Sequence, residues 1–411
     1  MMLKTKTAAA LCALLVTSGA AWADCGIEKG SVRILSNDFP ALKAIGAAAM
    51  TCASDTVEVT ANATTEHQNI QVAALTADPA TYTVAVVSTS SLVPLLNENL
   101  IRPLDEYVEK YGQGLQQSQL IKVGGNTVAI AFMANAQHLF YREDVLAEND
   151  IPVPSTYEEM FAAAQTLRDN GVMQNPISSN FMPGWNIATE FINTYLGTGN
   201  EFFEPGSANL AIDNEDGLAV LENMKTMTGY MDQDWATYDS NAQTPVWEAG
   251  EVALSIAWGS RTGAYIGDDS PVPEVAAATQ FAAAPALGEG TVPAAALWWD
   301  GFTIAANISD EDAEASFQAM VAGISPEMMR ENADAAVWLI EGYEPTRAAG
   351  GVTANLAAGA RAYPMLPYMG LLHTALGDNL VDYLQGNESA EQALSDIGTA
   401  YMTAATEAGF L

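Results

Sequence analysis

VGGNTVAIAFMANAQHLFYREDVLAENDIPVPSTYEEMFAAAQTLR, from Val123 to Arg168, is the most informative passage of the chain. It opens with Gly124-Gly125-Asn126, a turn signal of the kind that joins two strands. A mostly apolar, strand-like run follows from Val128 to Ala134, and polar residues then interrupt it at Asn135, Gln137 and His138. A second short apolar run spans Leu139 to Tyr141, and a helix-like piece covers Glu143 to Glu148. Pro152 and Pro154 end that piece. Ser155 or Thr156 then caps an amphipathic helix, with Glu158 and Glu159 in its first turn, where the dipole favours acids. The polar break inside the strand is the feature to explain. On pattern alone, Asn135, Gln137 and His138 read as solvent-facing sheet residues.

Upstream, Ser31 to Leu35 (SVRIL) reads as a first strand, followed by the polar loop Ser36-Asn37-Asp38-Phe39 and an Ala-rich helix from Ala41 to Met50. Val57 to Ala61 is a second strand, and Thr65-Glu66-His67 starts a helix whose apolar face includes Ile70, Ala73 and Ala74. Tyr82 to Val87 (YTVAVV) is a third strand, nearly uniformly apolar as buried parallel strands are, and it ends in Ser88-Thr89-Ser90-Ser91. Strands alternating with helices build an open α/β sheet, and ligands bind at the C-terminal ends of its strands. Asn37, Asp38, His67, Ser88, Thr89 and Ser90 therefore enter the candidate binding set. Downstream, Asn175 to Trp185 is a loop, Ile187 to Leu196 and Asp216 to Met227 are helices, and the C-terminal third is helical.

Lys4 and Lys6 precede an apolar run from Ala8 to Val16, and Ala21-Trp22-Ala23 supplies a cleavage signal, which together read as a secretory signal peptide. Asp24 before Cys25 argues against a lipoprotein, and no later stretch is long and apolar enough to span a bilayer. Loss of residues 1–23 leaves 388 of the 411 residues, too many for one core, so two lobes are expected. It also removes Lys4 and Lys6 and so moves the formal charge from −35 to −37, a surface that repels nucleic acid and anionic membranes. Cys12 leaves with the signal. Cys25 and Cys52 then remain as an even pair in an oxidising compartment, which favours a disulfide between the N-terminus and the first helix over two buried thiols.

Catalytic and metal-binding signatures are absent from the sequence. His67, His138 and His373 lie far apart with no paired-ligand spacing, and there is no nucleophile elbow, Walker loop or G-x-G-x-x-G. The pairs Glu158/Glu159 and Asp268/Asp269 sit in acid-rich surface contexts. No enzyme activity, metal or cofactor is expected.

Several passages resemble the family 1 extracellular solute-binding proteins, the maltose-binding-protein-like receptors of ABC importers. The family's Gly-rich turn and its "YNKDLL" and "aGi..P.TwdE" elements correspond to Gly124-Gly125-Asn126, Tyr141-Arg142-Glu143-Asp144-Val145-Leu146 and Ile151 to Glu159. Leu100 to Tyr107 is similar to "g.l.pLdey", Trp247 to Arg261 to "f..GkaAm...gsw", Ala283-Ala284-Pro285 to "p.P" and Leu297 to Ile304 to "gg.g.aI". Asp378 to Gln385 and Ala390 to Glu407 resemble the closing helices. One departure is that Tyr82-Thr83-Val84 stands where the family has "PDv".

The resemblance implies an α/β, two-lobed periplasmic-binding-protein fold, each lobe a sheet flanked by helices, with the ligand cleft at the hinge. Its expected division is 24–134 for the first lobe, 135–292 for the second, 293–345 for the first again, and 346–411 for closing helices on the second. The passage quoted first becomes the crossover between lobes, which brings Asn135 and Gln137 to the ligand. The return strands bring Trp258, Gly259 and Arg261, and Trp299, Asp300 and Gly301.

Aromatic residues at loop edges and strand ends suit sugar rings, whose apolar faces stack on indoles while their hydroxyls seek polar partners. Trp185, Trp258, Trp298, Trp299 and Tyr343 are placed that way, with core packing as the alternative. Adjacent strand residues face opposite ways, so one of Trp298 and Trp299 belongs to a core; Trp299 enters the candidate set, and which of the two faces the cleft stays open. Arg261 and Arg347 either pair with neighbouring acids or clamp a sulfonate, uronate or phosphate. The expectation is a monomeric periplasmic binding protein that hands a sugar, sugar alcohol or small glycoside to an ABC permease. An exported carbohydrate-active enzyme is the alternative from another class.

Overall fold

Residues 25–267 and 270–411 are described by a computed structural model. The signal-peptide segment, Cys12 and the Asp268/Asp269 pair lie outside the described residues. β1 (Gly30–Ser36), α1 (Pro40–Met50), β2 (Val57–Ala63), α2 (His67–Thr76) and β3 (Val84–Ser88) form the expected alternation. β1 pairs in parallel with both β2 and β3. β3 is apolar throughout because both its faces are covered: Val84 and Val86 enter one core cluster, Ala85 and Val87 another. The disulfide Cys25–Cys52 joins the chain ahead of β1 to the end of α1, with the two Cα atoms 5.5 Å apart.

The buried face of α2 differs from the expectation. His67, Gln71 and Leu75 are buried, whereas Ile70 and Ala74 are only partly covered and Ala73 is exposed. Gln71 Nε2 donates to the Ser91 carbonyl at 3.2 Å, so a polar side chain occupies an inward position that hydrophobicity would assign to alanine or isoleucine.

α3 (Leu92–Asn97) and α4 (Asp105–Tyr111) precede β4 (Leu120–Val123) and β5 (Asn126–Asn135), an antiparallel hairpin turned at Gly124 and Gly125, with φ of 60° and 91°. β5 is buried from Thr127 to Met133 and ends at Asn135. A single residue, Ala136, separates it from β6 (Gln137–Arg142), which belongs to a second sheet. The polar break is thus the crossing between sheets, and Asn135, Gln137 and His138 are buried, not solvent-facing. α5 (Glu143–Glu148) follows directly, then α6 (Tyr157–Asp169). Thr156 caps α6, its hydroxyl accepting from Glu159 N at 3.2 Å, while Ser155 bonds the Glu159 carboxylate.

β7 (Ile177–Ser178), α7 (Trp185–Gly197), α8 (Glu215–Thr228), α9 (Ser240–Glu248), β8 (Leu254–Trp258), α10 (Thr262–Ile266), α11 (Pro273–Ala278) and β9 (Thr279–Ala282) follow. The second sheet has the order β7-β8-β6-β9. β10 (Ala296–Ile304) then returns to the first sheet between β3 and β5, antiparallel to both. After α12 (Asp310–Gly323) and α13 (Pro326–Glu331), β11 (Val337–Trp338) adds to β5, so the order reads β11-β5-β10-β3-β1-β2. β4 pairs with β5 off this path. α14 (Gly350–Ala357), β12 (Arg361–Ala362), α15 (Met369–Gln385) and α16 (Ala390–Glu407) end the chain. Leu372, Leu376 and Leu380 of α15 and Leu394 and Ile397 of α16 share a core with Ile187, Phe191, Val220 and Leu221 of α7 and α8. The result is a mixed α/β protein with two helix-flanked sheets.

Candidate ligand cleft

Strand register positions the site. Trp298 in β10 pairs with Asn135 at the end of β5, and Trp258 in β8 pairs with Gln137 at the start of β6. The crossing is therefore flanked by two tryptophans, one from each sheet. Beside them opens a cleft of about 510 Å³. Of the expected residues, Asn37, His67, Ser88, Asn135, Trp185, Trp258, Arg261 and Asp300 line it. Trp298, one of the aromatic candidates, lines it too, and so do Phe39, Gln68, Ser240 and Ser260, which were not anticipated. Phe39 and Gln68 are direct neighbours of expected loop residues, so extending each strand-end loop by one position would have found them. Ser240 carried no sequence signal.

The tryptophans form a continuous cluster. Trp185 stacks on Trp258 at 5.9 Å between centroids, and Trp258 meets Trp298 edge-on at 5.6 Å. His373 stacks on Trp185 at 5.3 Å. Trp258 is 7% exposed, and the two readings of it, cleft wall and core, both apply. Trp298 is 4% exposed, and its Nε1 donor has no partner among the described residues. Trp299 projects to the opposite face of β10 and packs with the cluster of Val87, Leu92 and Leu95. The register thus turns Trp298, and not Trp299, toward the cleft.

Charge at the cleft is concentrated in Arg261 and Asp300. Arg261 is 6% exposed, lies 5.0 Å over the Phe39 ring and donates through Nη2 to Ser240 Oγ at 3.0 Å. Its Nε and Nη1 have no partner among the described residues. Burial lowers its pKa, while Tyr265, Asp239, Asp38 and Asp300 act in the opposite direction. Burial pushes the Asp300 carboxyl up to about 7, against the pull of Arg261. A register irregularity between Asp300 and Gly301 marks a bulge, which redirects side chains locally. Gly301 is required there because a Cβ would come within 2.5 Å of the Ile130 carbonyl oxygen. Burial also lowers His67 to about 4, and its Nδ1 is unpartnered. Asn135 is held in place: its Oδ1 accepts from Ala136 N and Ser260 N, and its Nδ2 donates to Ser260 Oγ at 3.2 Å.

The remaining expected residues lie outside the lining. Asp38 pairs with Lys43. Thr89 Oγ1 accepts from Trp299 N at 3.1 Å and pins β10. Ser90 Oγ lies 3.2 Å from Ser88 Oγ. Gln137 is fully buried beside Glu190 and Asn193. Gly259 N donates to the Ala136 carbonyl, and a Cβ there would meet Val352 at 2.4 Å. Tyr343 packs against the first sheet's core. Arg347 donates to the Thr279 carbonyl and sits over Phe281, 5.6 Å from its ring centre. Of the two arginines proposed for an anion, Arg261 alone faces the cleft.

Residues 48–348 match the family described as bacterial extracellular solute-binding protein. The chain belongs to that family. No curated protein matches the sequence. Among solved structures, the ABC transporter solute-binding protein of Agrobacterium radiobacter K84 in complex with ribitol is similar at a TM-score of 0.79 and 18% identity, covering 91% of this chain and 98% of that one. The Agrobacterium vitis S4 solute-binding protein with bound D-mannitol has a TM-score of 0.76 and 16% identity, over 93% and 99% of the two chains. Maltose-bound MalE3 of T. maritima has a TM-score of 0.75 and 16% identity, over 91% and 99%. At such identities the likeness establishes the two-lobed fold. No helix among the described residues of this extracellular solute-binding protein is long and apolar enough to cross a membrane.

Proposed function

We propose that this chain is the periplasmic receptor of an ABC importer, capturing a sugar, sugar alcohol or small glycoside and delivering it to a membrane permease without chemistry. The observation that carries this reading is the cleft itself: a wall of Trp258 and Trp298 beside the unpartnered donors of Arg261 and Trp298. Indoles suit the C–H face of a sugar ring, and buried donors suit its hydroxyls. Structural relatives with bound ribitol, mannitol and maltose support the same class. We assign 24–134 and 293–345 to one lobe, and 135–292 and 346–411 to the other. Closure of these lobes on ligand would be a hinge motion.

A second reading rests on Arg261 specifically. The unpartnered Nε and Nη1 of this buried cation are charged donors that suit an oxygen of a carboxylate, sulfonate or phosphate, so an acidic sugar derivative competes with the neutral one. A thermal-shift screen against neutral sugars, polyols and acidic sugars decides between them, because ligand well above its Kd stabilises by a few kcal/mol, about 2.7 at a hundredfold excess. Stabilisation by the neutral compounds, with a smaller radius of gyration in scattering when bound, is the expected result. Stabilisation by acidic sugars alone would favour the second reading, and turnover of a glycoside would overturn both.

A further inference from the structure

We propose that the ligand of this cleft carries a protonated amine held by the Asp300 carboxylate, which makes it an amino sugar or an amino polyol. This rests on the carbohydrate reading above and adds a positive charge to it.

Strand geometry presents Asp300 to the cleft. It stands two residues beyond Trp298 on the same face of β10, and the irregularity in pairing with β5 begins only after it. Both residues line the cleft, with Cα atoms roughly 6–7 Å apart by the rise of a strand. Across the sheet, its register partner is Ser88 of β3, which lines the cleft as well.

This carboxylate is left without a partner. Among the described residues no group donates a hydrogen bond to it, and the one influence against its burial is the charge of Arg261 acting at a distance. Asp239, by contrast, accepts from Asn241 N at 2.9 Å and Ala242 N at 2.7 Å. A carboxylate is an acceptor only, so Asp300 needs donors that the protein does not supply. Arg261 is not that donor. It lies 5.0 Å over the Phe39 ring and gives Nη2 to Ser240 Oγ at 3.0 Å.

The balance of charge selects an ammonium over a second acid. Arg261 is the one cation of the lining, since burial keeps His67 neutral, with a pKa lowered to about 4. The carboxylates that act on Arg261 are Asp239, Asp38 and Asp300, and Lys43 at the rim pairs with Asp38. Asp239 and Asp300 therefore stand against a single arginine. An added positive charge restores neutrality, whereas an added negative charge widens the imbalance. An ammonium also brings three donors, which suit the Asp300 carboxylate and the Ser88 hydroxyl beside it. The acidic exterior, with a formal charge of −35 over the whole sequence, draws cations toward the cleft.

Calorimetric titration near neutral pH tests the amine directly. Glucose, galactose and sorbitol would be compared with glucosamine, galactosamine and glucamine, and N-acetylglucosamine and glucuronate would be added. In at least one pair the amine should bind about tenfold or more tightly than its parent, the lower end for a hydrogen bond between charged groups. N-acetylation removes the charge and should remove the advantage. High salt should not, because buried contacts are little screened, whereas attraction by the outer surface is lost. Asp300→Asn should bring the ratio of amine to parent to about one, and Asp300→Ser should do the same if the first variant melts too low to titrate. Parents that bind as tightly as their amines in every pair overturn the inference alone and leave the carbohydrate reading standing. So does a ratio that survives both substitutions. Glucuronate as the tightest ligand would overturn it in favour of an anion at Arg261. Binding of nothing in the panel would refute the carbohydrate reading, and this inference with it.

Discussion

Asn135 and Gln137 stand two residues apart and serve opposite kinds of polar environment. On the Asn135 side, Arg261 Nε and Nη1, Trp298 Nε1 and His67 Nδ1 are buried without partners among the described residues. On the Gln137 side the side-chain amide has both its partners. Gln137 Nε2 donates to Glu190 Oε1 at 2.8 Å, and its Oε1 accepts from Asn193 Nδ2 at 2.7 Å. Asn193 Oδ1 accepts from Ala296 N in β10, and Asn355 Nδ2 from α14 donates to the Gln137 carbonyl. That network ties β6, α7, β10 and α14 together at the point where the chain changes sheets. Both regions are buried and polar, so burial and polarity do not distinguish a binding site from a clamp. At the cleft, a donor left buried without a partner costs about 1–3 kcal/mol, which a ligand that supplies the partner would recover.

Four substitutions break or sharpen the contrast. Trp258→Ala should have the largest effect, because Trp258 belongs to both the core and the wall: about 3–5 kcal/mol of stability and about 1–3 kcal/mol of ligand binding. Melting and calorimetric titration of one preparation measure both, and an intact affinity would remove Trp258 from the site. Arg261→Ala comes next and should separate the two quantities. Affinity should fall by about 2–3 kcal/mol for the lost charged hydrogen bonds, while the melting temperature holds or rises because an incompletely paired buried cation is gone. A variant that melts far lower yet binds normally would make Arg261 structural.

Gln137→Ala should show the reverse ordering. Glu190 and Asn193 lose their shared partner, which costs about 1–3 kcal/mol of stability, and the folded protein should bind nearly as before. A pH dependence is expected at Glu190, whose carboxyl is pushed up to about 8 by burial. Its folded-state pKa lies above its unfolded one, so its contribution to stability is full below the unfolded value and is lost as pH rises through the folded one. Glu190→Gln should therefore flatten the decline in melting temperature between about pH 5 and 9, leaving the acid end unchanged. Parallel curves for the two proteins would place that decline elsewhere.

Local order was legible wherever neighbours in sequence carry the cause. Glu143–Glu148 and Ala390–Glu407 form helices with the expected bounds, and the Gly124-Gly125-Asn126 turn closes a hairpin. Composition and cysteine pairing are equally local facts, and Cys25–Cys52 is a disulfide. The family motifs carried the two-sheet architecture, because the polar break at Asn135 is where one sheet gives way to the other. Which face of α2 is buried was not legible, since the inward Gln71 donates a hydrogen bond to the Ser91 carbonyl, twenty residues further along the chain. Nor was the choice of Trp298 over Trp299. Alternation guarantees that the two face opposite ways, but only the pairing of Trp298 with Asn135 and of Asp300 with Ser88 decides which face is the cleft. Arg261 and Arg347 look alike in sequence, and their fates diverge because Arg347 finds the Thr279 carbonyl while Arg261 finds a single serine. Sequence by itself determined most of the elements and the crossing between sheets, which depend on residues close along the chain. Tertiary structure alone decided which polar groups stay unpartnered, because that depends on atoms brought together from strands up to two hundred residues apart.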